Sequence, residues 1–186
     1  MSERTLSLLA DYRARHPEEE TTVDRFRELI ATTPDCYERS GRPGHITGSA
    51  WLVSEDGGEV LLTHHRKLDR WLQFGGHSDG DVDPLSVATR EAIEESGLQV
   101  RPLSRALLDI DIHPIPARPD DTGHLHYDLR FAFISSSGRR YTVSDESHDL
   151  AWVPIDRIDD YSDEPSLLRM ARKWRTWQAA GVPAPA

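Results

Sequence analysis

Three glutamates, Glu91, Glu94 and Glu95, fall within a single helical turn in the stretch Gly75–Leu98, which reads GGHSDGDVDPLSVATREAIEESGL. At i, i+3 and i+4 their carboxylates share one helix face. Like charges at that spacing disfavour a helix unless something offsets them. The natural offset is a hard divalent cation, because acidic, oxygen-rich sites suit magnesium, manganese or calcium. The alternative for such a helix is a solvated, salt-bridged face.

The neighbouring residues define the helix. Asp83 is a good N-cap, and Pro84 fits the first helical position. Gly97 suits a left-handed C-terminal residue, and Leu98 begins the next segment. Leu85, Ala88 and Ala92 make an apolar strip beside the carboxylates. Arg90 and Glu94 stand at i, i+4, which predicts an ion pair. Gly75, Gly76 and Gly80 precede the helix, so the backbone there is free to turn sharply and approach a ligand.

At these residues the chain resembles the Nudix hydrolase family. The family signature is a glycine, five residues, a glutamate, seven residues, then Arg-Glu-apolar-x-Glu-Glu-x-Gly-apolar. With Gly76 as the first glycine, Arg90, Glu91, Ala92, Glu94, Glu95, Gly97 and Leu98 match it. Val82 stands where the signature has its first glutamate, and Asp81 is the adjacent acid. The resemblance implies an α/β fold, an α/β/α sandwich with a mixed sheet, here carrying an N-terminal helical extension. It implies Mg2+ or Mn2+ held by Glu91, Glu94, Glu95 and the Gly75 carbonyl, with Arg90 supporting the site. Family members commonly draw a further glutamate from outside the signature, as ligand or general base. Glu146, in SDESHDLAWV, is the best candidate here, ahead of Asp145 and Asp149.

The chain has 186 residues and a formal net charge of −10. That length suits one domain with a small extension. The charge argues against general binding to nucleic acid or anionic membranes, which need a basic face. A small anionic substrate remains compatible, since a bound metal reverses the local sign. Cys36 is the single cysteine, which points to a reducing, cytoplasmic setting without a disulfide framework. The first residues lack the apolar core of a signal peptide, and no run reaches membrane-spanning length.

Residues 1–40 read as a helical extension, 41–180 as the catalytic domain and 181–186 as a flexible tail. Within the extension, His16-Pro17 separates two helices, and Val23, Phe26, Leu29 and Ile30 make one apolar face. This hairpin packs either on the domain or on a second subunit, so a homodimer is an expectation. Strands are predicted over 46–53, 60–64, 103–112, 125–135 and 150–153, with a closing helix over 164–179. Pro114–Gly123 reads as a proline-rich loop facing the substrate.

Several polar residues are candidate substrate contacts. His77 follows the glycines, where a ligand approaches. His126 alternates along a strand with His124 and Asp128, which fits either a polar cleft wall or a second metal site. Arg66 belongs to a basic patch, His64-His65-Arg66-Lys67. Of Trp71, Phe74, Tyr127 and Trp152, at most one is expected to stack on a base. Cys36 is expected to be inert and outside the domain core.

The leading functional expectation is metal-dependent hydrolysis of a nucleoside diphosphate linked to another group: a nucleotide sugar, a dinucleotide or a nucleoside triphosphate. Water attacks the diphosphate while carboxylate-held metal neutralises it. One alternative is a nucleotide-binding regulatory domain of weak activity, supported by Val82. Another is isopentenyl diphosphate isomerase, disfavoured because GGHSDG lacks a cysteine.

Overall fold

The computed structural model describes residues 3–117 and 122–182. Helices α1 (Glu3–Arg15) and α2 (Glu20–Thr32) come first, separated by a short 3-10 turn at Pro17–Glu19. Proline lacks the N–H that a continuous helix would use, so the chain breaks there. The strands are β1 (Gly44–Val53), β2 (Glu59–His65), β3 (Arg70–Leu72), β4 (Phe74–His77), β5 (Val100–Pro102), β6 (Asp109–Ile115), β7 (His124–Ser135) and β8 (Ser147–Pro154). Helix α3 (Pro84–Ser96) lies between β4 and β5, and α4 (Pro165–Ala180) follows a 3-10 segment at Ile155–Asp160.

The strands form one mixed sheet built around β1. β1 runs parallel to β7, from Gly44 opposite Leu125 to Val53 opposite Ile134. Its other edge pairs antiparallel with β4, from Thr47 opposite His77 to Ala50 opposite Phe74, and then meets β2 at Val53 and Val60. β5 and β6 lie antiparallel to β7, while β3 and β8 flank β2.

Strand alternation divides the core in two. Ile46, Ala50, Leu52, Phe74, Leu129, Phe131 and Phe133 pack with Leu85, Ala88 and Ala92 of α3 and with Leu9, Tyr12, Val23, Phe26 and Leu29 of the first two helices. Trp51, Val53, Val60, Leu62 and Ala132 pack instead with Leu167, Met170, Ala171, Trp174 and Trp177 of α4. Helices thus cover both faces, giving the α/β/α sandwich. The N-terminal helices share the domain's own core, with Phe26 edge-on to Tyr127 at 5.2 Å.

A buried charge network runs under α4. Arg130, 2% exposed, pairs with Asp128 (2.7 Å), Asp109 (3.2 Å) and Asp111 (3.3 Å). Arg169 joins Asp109 and Asp111, and Lys173 joins Asp109 at 2.6 Å. Lys173 also reaches Tyr12 and Glu19, which ties the extension to α4. Burial alone would raise the Asp109 and Asp111 pKa values; the His113 hydrogen bond to Asp111 and the facing cations outweigh it and hold both below the usual carboxylate range.

Three expectations change. The strand predicted over 103–112 begins only at Asp109. Leu103–Leu108 is irregular, with Ser104 Oγ accepting the Ala106 N–H at 3.0 Å, and both Leu107 and Leu108 are buried. Leu107 enters the core on the α3 face and Leu108 the core on the α4 face, as in a strand, but the turn at Ser104 keeps the segment off the ladder. Cys36 is inside the core, at 2% exposure, rather than outside it. Pro114 and Ile115 end β6 instead of opening the proline-rich loop; residues 118–121 of that loop, and 183–186 of the tail, lie outside the described residues.

Candidate active site

Local chemistry sets α3 in place. Asp83 Oδ1 accepts the Leu85 N–H at 3.2 Å, and Pro84 occupies the first turn. Gly97 ends the helix at φ 70°, its N–H bonded to the Ile93 carbonyl at 2.8 Å. Only glycine adopts that left-handed conformation at little cost. With Ala88 and Ala92 buried against the sheet, the glutamates face the end of β4.

The two adjoining glycines allow that approach. A Cβ on Gly76 would meet all three carboxyl atoms of Glu91 at no more than 2.6 Å, and one on Gly75 would collide with the Ser49 hydroxyl. Gly75 donates its N–H to Glu95 Oε1 at 2.9 Å. Gly75 is exposed, Glu91 half-buried, Glu95 buried and Glu94 exposed.

Desolvation is the main reason the Glu95 carboxyl is pushed up to about 8. The Gly75 N–H partly opposes that rise, and repulsion from Glu91, Glu146 and Glu94 adds to it. Glu91 is raised too, again chiefly by burial, against the pull of Arg90. Crowded carboxylates that resist carrying their own charges are a donor set suited to a hard dication, with the exposed Gly75 carbonyl beside them. The residues present therefore fit magnesium or manganese.

Glu146 is exposed, yet its charge acts on both Glu91 and Glu95, so it faces the same group. Arg90 corrects an expectation. Its guanidinium donates to the His77 carbonyl at 2.8 Å and pairs with Glu91 at 3.1 Å, rather than with Glu94. The side chain turns toward the end of β4, where a carbonyl and a half-buried carboxylate offer two acceptors. Asp81 accepts the Asp83 N–H at 2.9 Å and so shapes the turn before α3, while Val82 packs against the core.

Arg39 was not legible in the sequence. It pairs with Asp79 at 2.6 Å, and its charge also acts on Glu91, Glu146 and His77. It sits in an irregular segment with no motif to mark it.

The remaining candidates lie elsewhere around β4. Side chains alternate along a strand, so His77 points to the face opposite the Gly76–Glu91 contact. There it meets His126 at a ring separation of 5.0 Å and His45 at 5.1 Å. Burial is the main cause that lowers His77 to about 4 and His126 to about 2, so both rings are neutral at pH 7. Arg66 is exposed at the end of β2; its backbone N–H bonds to the Glu146 carbonyl at 2.9 Å, which sets it beside that acid. Of the four aromatics, Phe74 and Tyr127 are core residues. Trp71 stacks on His64 at 5.1 Å, and Trp152 lies under Arg139 at 4.8 Å; these two are partly open.

A family model described as NUDIX domain matches residues 44–174. A curated relative, the 8-oxo-(d)GTP phosphatase of Mycolicibacterium smegmatis, is 30% identical over 161 residues, covering 79% of this chain. The match spans 47% of that relative, about half its length. Among solved structures, a NUDIX-family hydrolase from Clostridium perfringens superposes with a TM-score of 0.54 at 24% identity, covering 71% of this chain and 97% of that one. A Nudix hydrolase from M. smegmatis gives 0.56 at 20% identity, covering 75% and 88%. At these identities the two structures speak to the fold alone.

Proposed function

The chain belongs to the NUDIX domain family, and from that premise we propose that it is a hydrolase that acts on a nucleoside diphosphate linked to another group. The observation that carries this reading is the junction of α3 with β4. Glu95 is bonded to the Gly75 N–H, and Glu91 lies against Gly76, so two carboxylates of α3 meet the glycines of β4 where Gly75 is exposed.

Glu91, Glu94, Glu95 and the Gly75 carbonyl would hold Mg2+ or Mn2+. Such an ion, when bound, neutralises diphosphate charge and acidifies a water. The protein's own contribution is positional. Arg90 holds the His77 carbonyl and the Glu91 carboxylate, fixing the loop against the helix. The Gly75 N–H orients Glu95. Glu146, exposed and acting electrostatically on the same acids, would accept a proton from the attacking water. Arg66, whose guanidinium donates to the Ser147 carbonyl at 2.9 Å beside Glu146, would offer its remaining N–H groups to a substrate phosphate.

Nucleotide sugars, dinucleotides and nucleoside triphosphates are the candidate substrates, since each carries the diphosphate such a site would act on. The name of the M. smegmatis relative favours triphosphates within that set. Cys36 does not support an isomerase that needs a reactive thiol, because burial raises its pKa. The test is product release from a panel of these compounds and isopentenyl diphosphate, with magnesium or manganese, beside Glu94→Gln and Glu95→Gln. Metal-dependent release of a nucleoside monophosphate, lost in both variants, supports the reading. Full activity in both overturns the carboxylate mechanism. Tight nucleotide binding without turnover replaces it with a regulatory binder.

A further inference from the structure

We propose that His45, His77 and His126 form a second metal site, for a divalent transition metal of the zinc class, separate from the carboxylates of α3. Sheet register brings the three together from distant parts of the chain. His45 on β1 is directly opposite His126 on β7, and His77 on β4 crosses β1 at Thr47. Each offers a ring nitrogen, and the three nitrogens lie within 4.8 Å of one another. Around a tetrahedral zinc at about 2.1 Å, ligand nitrogens are roughly 3.4 Å apart, so modest ring rotation closes the set.

Burial strengthens the assignment. His45 is 1% exposed. The Nε2 of His126 is buried with no hydrogen-bond partner among the described residues, a costly arrangement unless something else satisfies it.

His124 stands next in line, its ring 4.8 Å from His45 and 5.3 Å from His126. Its Nδ1 lies 2.9 Å from the Thr122 carbonyl. A carbonyl only accepts, so Nδ1 is the donor in this contact. A backbone carbonyl orienting a histidine in this way is the usual outer partner of a ligating imidazole.

Donor chemistry separates this site from the first. Imidazoles select zinc, nickel, cobalt or copper, whereas carboxylates and carbonyls select magnesium or manganese. Geometry separates them as well. The His77 ring and the Glu91 carboxylate lie on opposite faces of β4, while the His77 carbonyl holds Arg90. A metal on the imidazoles would therefore brace the strand on which the carboxylate site is built, without sharing a ligand side chain with it.

The experiment uses the full chain, stripped of metal by a chelator, then given zinc or cobalt(II) in excess magnesium and desalted. Metal content and the visible spectrum of the cobalt form are read for the wild type, His126→Ala, His45→Gln and Glu94→Gln, with circular dichroism as the folding control. One zinc per chain is expected in the wild type and in Glu94→Gln, with a tetrahedral cobalt spectrum. Affinity should fall by at least about 100-fold in either histidine variant, since loss of an outer partner alone costs 10–100-fold. The proposal is overturned if the wild type retains no zinc, or if folded histidine variants retain it fully. Zinc displaced by magnesium and lost in Glu94→Gln would assign it to the carboxylates and equally overturn the proposal. The wild-type cobalt spectrum decides the matter even if a variant does not fold. None of these readouts depends on hydrolysis, so failure here leaves the proposed activity standing.

Discussion

Glu95 accepts the backbone N–H of Gly75 at 2.9 Å, joining the third carboxylate of α3 to the residue whose own carbonyl is proposed to complete the donor set. Twenty residues apart in the chain, the two groups become one unit. Replacing Glu95 by glutamine keeps a hydrogen-bond acceptor but removes the charge. The expected result is a fall in kcat of about 100- to 1000-fold, the range seen when one electrostatic contact to a reacting group is lost. Steady-state kinetics with a competent substrate and saturating magnesium would check it; a loss below tenfold would sink the role.

Metal affinity should depend on pH through the same residue. A metal binds the ionised carboxylate, and Glu95 titrates near 8 in the metal-free protein. Binding therefore releases a proton, and magnesium affinity should rise with pH up to about 8 and level off above it. For the metal-free fold the sign is opposite. A carboxyl whose folded pKa is raised contributes stability at low pH, which is lost as pH climbs from the ordinary glutamate range through about 8. Calorimetric titration and thermal melts with and without magnesium would read both trends.

Gly76→Ala should separate catalysis from folding. The new Cβ would strike the end of the Glu91 side chain, which is able to swing away, so stability should change little. The displaced carboxylate is then out of the metal site. Activity should fall by at least about tenfold while Tm shifts by only a few degrees. A large loss of Tm with activity retained would contradict this account.

Lys173→Met should destabilise the protein strongly. The lysine is 10% exposed and faces Asp109, which is fully buried, together with Tyr12 and Glu19. Removing one partner of a buried charge cluster costs about 3–5 kcal/mol. Denaturant unfolding would measure it. The same contacts predict that a chain beginning at residue 41 is far less stable than the full chain, since it loses Tyr12, Glu19 and the apolar face of α2 together.

Much of the site was legible in the sequence because local chemistry fixes it. The caps Asp83 and Gly97, Pro84 at the start, and the spacing of Glu91, Glu94 and Glu95 act over one or two turns, so short-range rules define α3 within the chain. His16-Pro17 broke the N-terminal helices for an equally local reason. The irregular Leu103–Leu108 segment escaped, because an apolar run reads alike in a strand and in a buried loop. Arg90 found its partners in the His77 carbonyl of β4 and the adjacent Glu91 rather than one turn along its helix.

The sequence by itself determined the acidic helix, its ends and the donors it carries, since covalent spacing and capping set these without help. Only the tertiary structure decided what those donors meet. The parallel register of β1 and β7 put His45 beside His126, 81 residues away, and the return of α4 over the sheet set Lys173 against Asp109 and Tyr12. Such pairings are chosen by the burial of whole faces, a property of two elements together that neither carries alone.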